Sequence, residues 1–242
     1  DSSQSRGLGD VYKRQDKFTI ENTERLIHSH GQETFKDIYK VLYRSIDRLV
    51  DLVFYPESEE DVRKIIEIAL KYNVCLIPYG GGTNVTRALS VPENEKRTVV
   101  SIDTRRLSKI EWINKEDRRV CVEAGITGKN LDELLKKEGF MIGHEPDSVE
   151  LSTIGGWIAT NASGMKKNKY GNIEDIVENV HLVTPKGEIN QIKPISRGSI
   201  GFKPQNMLFG SEGNLGIITK AILKIHERPE ACLLYTSPSP RD

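Results

Sequence analysis

The first segment whose residue types could do chemistry runs from Pro78 to Asn84 and contains three consecutive glycines. They follow the apolar run Val74 to Ile77, which is typical of a buried strand. Because glycine has no side chain, backbone N–H groups can converge here on an anion such as phosphate. The glycines are contiguous and no Gly-Lys-Ser or Gly-Lys-Thr follows, which disfavours a nicotinamide-binding Rossmann site and a P-loop. Taken alone, the triplet fits a flexible turn better than a ligand site.

Two further segments are polar and rich in glycine. The second, Gly143 to Gly164, alternates hydroxyl and amide residues with glycine, so its backbone could approach a flat ligand closely. The third, Gly210 to Gly216, precedes the last predicted strand, and a plain turn explains it equally well. His144 is interpreted as structural, although Glu145 and Asp147 would raise its pKa if they lay close to it. Together the segments indicate an extended, planar, phosphate-bearing ligand such as a flavin dinucleotide.

The elements that must position these segments follow an α+β pattern. An amphipathic helix is predicted from Ser58, whose side chain fits a capping box with Asp61, to Asn73. Pro78 is expected to end the strand before the glycines. A second helix is predicted over Asn130 to Lys137. The predicted strands are Leu52 to Tyr55, Val74 to Ile77, Thr98 to Ile102, Ile110 to Ile113, Val120 to Glu123, Val177 to Thr184, Glu188 to Ile192 and Leu215 to Ile225.

Composition excludes several classes of protein. The 242 residues carry 35 basic and 35 acidic side chains, which disfavours a nucleic-acid partner. The chain has no apolar run near the ~20 residues that a membrane-spanning helix needs. Three cysteines without paired spacing exclude a disulfide scaffold and a cysteine-based zinc site, so no metal is expected.

Both ends of the chain are interpreted as remnants of cloning. The DNA ggagatgtgtataagagacag encodes Gly9 to Gln15, and its reverse complement encodes Cys232 to Ser237 in another frame. This DNA resembles a transposase adapter of sequencing libraries. Residues 1–15 and 232–242 are therefore predicted to be foreign, and the gene is expected to be truncated on both sides.

Several strings of the remaining sequence match a known family. They are PYGGGTN from Pro78, EAGITG from Glu123, GHEPDS from Gly143, STIGGWIATNASGMKKNKYGNIEDIV from Ser152, and GSEGNLGIIT from Gly210. The chain resembles the FAD-binding, PCMH-type domains of the vanillyl-alcohol oxidase superfamily, and within it the alkylglycerone-phosphate synthases. The resemblance implies a domain of two α/β subdomains over residues 52–228, preceded by a helical lead-in over residues 16–51.

The resemblance implies non-covalent FAD, because Thr83 stands where covalently flavinylated relatives often carry histidine. It tentatively assigns Arg197 to catalysis and places the other catalytic residues beyond this chain. The residues implied to contact FAD are Pro78, Tyr79, Gly80, Gly81, Gly82, Thr83, Asn84, Asp147, Ser148, Val149, Glu150, Leu151, Ser152, Thr153, Thr160, Asn161, Ala162, Ser163, Glu212, Gly213, Asn214, Leu215, Gly216, Ile217 and Ile218.

The reaction implied for the parent enzyme replaces the acyl chain of acyl-dihydroxyacetone phosphate with a long-chain fatty alcohol. This is a step of ether-lipid synthesis in which FAD undergoes no net oxidation. The resemblance also implies a peroxisomal location, peripheral membrane association and a homodimer for the full-length protein. Two alternatives remain: a FAD-linked oxidoreductase of the D-2-hydroxy-acid dehydrogenase type, and a domain that binds FAD without turnover.

Overall fold

The computed structural model describes residues 17–31, 35–43, 46, 48–190, 201 and 203–230. The tentative catalytic residue, Arg197, and both predicted cloning remnants lie outside the described residues. Two sheets organise the described part of the chain. Every helix within these residues is too short or too polar to cross a lipid bilayer.

The first sheet contains four strands in the order β1-β2-β4-β3. The strands β2, β4 and β3 are parallel, and β1 pairs antiparallel with β2 at one edge. The strand ranges are β1 (Phe18–Thr19), β2 (Leu52–Phe54), β3 (Cys75–Tyr79) and β4 (Val99–Asp103).

Three helices accompany this sheet: α1 (Asn22–Ile27), α2 (Phe35–Leu42) and α3 (Glu59–Tyr72). Helix α3 joins β2 to β3 and has the predicted boundaries. The Ser58 side chain accepts a hydrogen bond from the Asp61 N–H, and Asn73 ends the helix in a left-handed conformation with φ of 54°. The Asp61 carboxylate accepts from the Glu57 N–H, one residue earlier than a capping box requires.

Pro78 corrects one sequence-based expectation, because it lies inside β3 rather than beyond its end. The strand continues through Pro78 to Tyr79, which pairs with Asp103 of β4. Since β3 is the edge strand of this sheet, the missing N–H of Pro78 costs no ladder hydrogen bond on its open side. The two extra residues of the strand, Pro78 and Tyr79, bring the glycines to the sheet's carboxyl edge.

The second sheet contains five antiparallel strands in the order β5-β6-β10-β8-β9. A long connection from β6 to β8 carries four helices that cover one face of the sheet, and the short strands β7 and β11 pair beside it. The ranges are β5 (Ile110–Asn114), β6 (Arg119–Glu123), α4 (Gly128–Lys137), β7 (Phe140–Met141), α5 (Ile154–Thr160), α6 (Lys167–Tyr170), α7 (Ile173–Ile176), β8 (Val177–Thr184), β9 (Gly187–Ile189), β10 (Ile217–Lys224) and β11 (His226–Glu227).

Two clusters of buried apolar side chains join these layers. The larger cluster packs α4, α5 and α7 onto the second sheet. The smaller one places Val62 and Ile66 of α3 against Ile102 of β4 and against Val183 and Ile217 of the second sheet. Burial of apolar area drives this docking, and it fixes the glycine segment of the first sheet relative to the loops of the second.

Candidate functional site

A cavity of about 410 Å³ lies where the three glycine-rich segments meet. The first segment reaches it from the end of β3, the second from the turn before α5 and from the end of α5, and the third from the loop before β10. Eighteen of the 25 predicted contact residues line this cavity: Pro78, Tyr79, Gly80, Gly81, Gly82, Thr83, Asn84, Asp147, Ser152, Thr153, Thr160, Ala162, Ser163, Glu212, Gly213, Gly216, Ile217 and Ile218.

The other seven predicted residues do not line the cavity: Ser148, Val149, Glu150, Leu151, Asn161, Asn214 and Leu215. Several of them shape its walls. Ser148 has φ of 56°, and its carbonyl accepts the N–H groups of Leu151 and Ser152, which closes a tight turn. Asn161 ends α5 with φ of 50°.

The glycine segment presses directly against the second segment. A Cβ on Gly80 would lie 2.4 Å from the Thr153 Oγ1, and a Cβ on Gly81 would lie 2.1 Å from the Leu151 carbonyl oxygen. Any larger side chain would push the two loops apart. Glycine is therefore required at positions 80 and 81 by close approach, whereas Gly82 also has a left-handed backbone conformation with φ of 67°.

The third segment is tied to both of the others. The Glu212 N–H donates to the Ala159 carbonyl of α5 over 2.8 Å, and the Gly210 N–H donates to the Ile158 carbonyl over 3.2 Å. A Cβ on Gly213, which has φ of 80°, would lie 3.0 Å from the Pro78 ring. The three segments thus form one continuous wall around the cavity.

The backbone of the glycine segment offers unpaired donors. Within the part of the chain that the structure describes, no N–H group from Gly80 to Asn84 donates to a backbone carbonyl. The Asn84 Oδ1 is buried and has no hydrogen-bond partner among the described residues. Since buried polar groups are nearly always paired, this oxygen indicates a polar ligand or ordered water in the cavity, to which the nearby N–H groups could also donate.

The lining has few charged side chains, and those it has are acidic. Among the described residues, it carries the acids Asp147 and Glu212 but no lysine, arginine or histidine. A phosphate in this cavity would be held by backbone N–H groups and by hydroxyl and amide side chains, as in other backbone anion sites. The described residues also contain no cluster of three histidine, cysteine or acidic side chains that could hold a metal ion.

His144 is buried beside the cavity rather than in its lining. Neither of its ring nitrogens has a hydrogen-bond partner among the described residues. Its ring meets the Trp157 ring edge-on, with 5.0 Å between the centroids. Burial lowers the pKa of His144, with a smaller opposing effect from Glu174. The expected rise from Glu145 does not occur, because Glu145 pairs with Lys166 instead, 2.6 Å away.

The sequence analysis missed part of the lining. Trp157 stands in the cavity wall, and its indole N–H donates to the Ser152 hydroxyl over 2.8 Å. Its position between Gly156 and Thr160, inside the second glycine-rich segment, could have indicated that it lies at the cavity. The residues that follow the first segment, Val85, Thr86, Ala88 and Leu89, also line the cavity, and no local pattern marks them.

Comparison with known proteins identifies the fold and the family. The family model described as "FAD binding domain" matches residues 50–193. A solved structure of alkyldihydroxyacetonephosphate synthase has a TM-score of 0.84 and 38% identity, covering 89% of this chain and 39% of that chain. The expected fold, an α+β FAD-binding domain of the PCMH type, is therefore confirmed.

Curated relatives fall into two groups. Alkyldihydroxyacetonephosphate synthase of Caenorhabditis elegans is 47% identical over 88% of this chain and 36% of its own length. The enzyme of that name from Dictyostelium discoideum is 39% identical over 91% and 36%. A mitochondrial D-lactate dehydrogenase (cytochrome) of Arabidopsis thaliana is 31% identical over 89% and 36%.

The chain spans little more than a third of the length of these curated relatives. The domain boundaries expected from the sequence, 52–228 with a lead-in over 16–51, remain predictions. The chain belongs to the FAD binding domain family and is homologous to the FAD-binding region of alkyldihydroxyacetonephosphate synthases.

Proposed function

We propose that this chain is the FAD-holding part of an alkyldihydroxyacetonephosphate synthase and that it binds FAD without a covalent bond. The observation that carries the proposal is the row of N–H groups from Gly80 to Asn84, which have no backbone acceptor among the described residues and lie at a cavity built by three separate segments. The cavity's volume, about 410 Å³, lies within the range of about 300–1,000 Å³ that is usual for ligand sites.

The residues of the cavity fit the cofactor. The glycine segment would receive the negatively charged pyrophosphate on its N–H groups, with Thr83 and Asn84 beside it. The hydroxyl groups of Ser152, Thr153 and Thr160 would bind the polar chain of the cofactor. When bound, FAD would supply an electrophilic flavin ring held in a fixed orientation. The protein's contribution is to bind this ring, orient it and exclude water from it.

The proposed reaction of the full-length protein exchanges the acyl chain of acyl-dihydroxyacetone phosphate for a long-chain fatty alcohol. Similarity to synthases at 47% and 39% identity supports this reaction over others of the same fold. The proposal includes peripheral membrane association, a homodimer and a peroxisomal location for the full-length protein, all by family resemblance. Fluorescence microscopy of a tagged full-length protein tests the location.

A FAD-linked oxidoreductase of D-2-hydroxy acids is the second candidate. The similarity to D-lactate dehydrogenase, at 31% identity over 89% of the chain, favours it. It predicts that D-lactate bleaches the flavin absorbance of the full-length protein under anaerobic conditions. The exchange reaction instead predicts that labelled fatty alcohol enters the product while the flavin spectrum keeps its oxidised form.

FAD binding is tested first on the 242-residue chain. The protein is purified with added FAD, freed of unbound flavin, and precipitated with acid. Flavin in the supernatant, in a one-to-one ratio to protein, would support non-covalent binding. Flavin that stays with the pellet would contradict the assignment of Thr83, and a folded protein without flavin would contradict the whole cavity assignment.

A further inference from the structure

A buried charged cluster lies behind the glycine segment, and its first member comes from outside the matched FAD binding domain. His28 follows α1 and is fully buried, although the family match begins at residue 50. It contacts Asp103, at the end of β4, across 75 positions of sequence.

Both ring nitrogens of His28 face oxygen acceptors. The Nδ1 lies 2.7 Å from the Glu24 carbonyl oxygen, and the Nε2 lies 2.9 Å from the Asp103 Oδ2. The Glu24 carboxylate lies farther away, 3.8 Å from the Nδ1. A ring that donates from both nitrogens satisfies this geometry, and it links α1 to the first sheet by hydrogen bonds.

Asp103 is also fully buried and is held from its other side by Arg105. The Asp103 carboxylate accepts from the Arg105 N–H, Nε and Nη2, with the closest distance 2.5 Å. Burial alone would raise the pKa of Asp103, but hydrogen bonds from His28 and Arg105 outweigh it and lower the pKa. The carboxylate therefore stays charged and serves as the fixed centre of the cluster.

Tyr79 connects this cluster to the glycines. The centroids of the Tyr79 and His28 rings are 4.2 Å apart. The guanidinium carbon of Arg105 lies 5.4 Å from the centroid of the same Tyr79 ring. The Tyr79 hydroxyl would be 2.3 Å from a Cβ on Gly82, so it supports the turn directly. Gly31, three residues after His28, is equally close to Asn84: a Cβ there would lie 2.5 Å from the Asn84 carbonyl oxygen.

We propose that His28 is a positioning residue for the cofactor site and that it acts through its hydrogen bond to Asp103. With Asp103 fixed, Arg105 and Tyr79 keep their places, so that Gly80 to Asn84 keep their ligand-receiving conformation. This inference rests on the proposed binding of FAD and extends the site beyond the family's domain into the lead-in. The lead-in would then be a structural part of the cavity rather than a linker to it.

Two substitutions of His28 separate its two hydrogen bonds. His28→Gln can still donate to Asp103 from the position of Nε2, whereas His28→Asn can donate only to the Glu24 carbonyl from the position of Nδ1. Both remove the ring that packs on Tyr79. The control is Arg25→Ala, which loses the 2.7 Å hydrogen bond from α1 to the Val50 carbonyl but touches no member of the cluster.

The full chain is used for all measurements, with FAD affinity followed by flavin fluorescence and apo-protein dynamics by hydrogen exchange. We expect the His28→Asn protein to bind FAD about tenfold more weakly, because one charge-assisted hydrogen bond is lost. Its backbone amides from Gly81 to Asn84 should also exchange hydrogen faster. The FAD affinity of the His28→Gln protein should stay within about threefold of the parent's, which is less than the loss of one such hydrogen bond would cause. Arg25→Ala should lower thermal stability while leaving FAD affinity unchanged.

Three results would overturn the inference. The first is unchanged FAD affinity and amide exchange in a folded His28→Asn protein. The second is an equal loss in both His28 variants, which would assign the effect to ring packing alone. The third is a comparable loss in Arg25→Ala, which would assign it to general docking of α1. If the parent chain binds no FAD, the proposed function fails, while the amide exchange of the apo proteins still decides the positioning role of His28.

Discussion

Replacing Gly81 with alanine tests whether the first and second segments are pressed together as the structure shows. The new Cβ would lie 2.1 Å from the Leu151 carbonyl oxygen, 2.6 Å from the carbonyl carbon and 3.0 Å from the Ser152 Cα. All three contacts are with backbone, so no side chain can rotate away. The two loops would have to separate by about 0.9 Å to restore the 3.0 Å at which such contacts begin to be tolerated.

Overpacking of this kind costs about 1–3 kcal/mol of folding stability. The separation also displaces the N–H groups of the glycine segment from the ligand. We expect FAD affinity to fall at least about tenfold, which corresponds to about 1.4 kcal/mol. Urea unfolding followed by circular dichroism measures the first effect, and titration with FAD followed by flavin fluorescence measures the second.

The matched control is Gly187→Ala at the first residue of β9, directly after the turn that follows β8. Gly187 has φ of 141°, and a Cβ there would meet nothing within 4 Å. Its substitution should cost about 1 kcal/mol through backbone strain alone and leave FAD affinity unchanged. The reasoning is refuted if Gly81→Ala retains the parent's stability and FAD affinity, or if Gly187→Ala weakens FAD binding as much.

Three further predictions follow from buried polar groups. Ser152→Ala should lower the free energy of unfolding by about 1–3 kcal/mol, because the Trp157 indole N–H loses its acceptor. The same substitution should cost clearly less in a protein that already carries Trp157→Phe. Equal losses in the two backgrounds, measured by urea unfolding, would contradict this. The pKa of Asp103 is lowered in the folded state despite its burial. Its contribution to folding stability is therefore present above the usual pKa of about 3.9 and lost as the pH falls below that value. Asp103→Asn should flatten the dependence of folding stability on pH in this range, and an unchanged dependence would refute the assignment. Burial raises the pKa of both Cys75 and Cys121, that of Cys121 to about 11. Since Cys75 is only half-buried and Cys121 is buried, iodoacetamide at about pH 8 should label Cys75 before Cys121, and mass spectrometry showing the reverse order in folded protein would contradict the structure.

Local signals predicted the long elements well. Helix α3 was predictable because its N-cap, its apolar stripe and its left-handed Asn73 all act within one segment. The hairpin of β5 and β6 was predictable from alternating residues around a polar turn. The short elements β7, β11, α6 and α7 were not predicted, because two to four residues carry too little periodicity.

Some parts of the candidate site could be predicted from local sequence, and others could not. The three glycine-rich segments were recognisable because glycine, hydroxyl and amide residues are concentrated in each of them and because the family strings lie there, although the composition of one segment alone also fits an ordinary turn. His28 was not recognisable, because a single histidine after a short helix resembles any other. Its role depends on Asp103, which is 75 positions away and reaches it only through the pairing of β2 and β4.

The glycine-rich loops, the long helices and strands, and the family resemblance could all be predicted from the amino-acid sequence, because each depends on residues close together in the chain. The contacts of Gly81 with Leu151, of Gly213 with Pro78 and of His28 with Tyr79 could not, because they exist only once the chain is folded. These contacts join segments separated by tens of residues. They are set by how α3 and the two sheets bury their shared apolar surface, which no local pattern specifies.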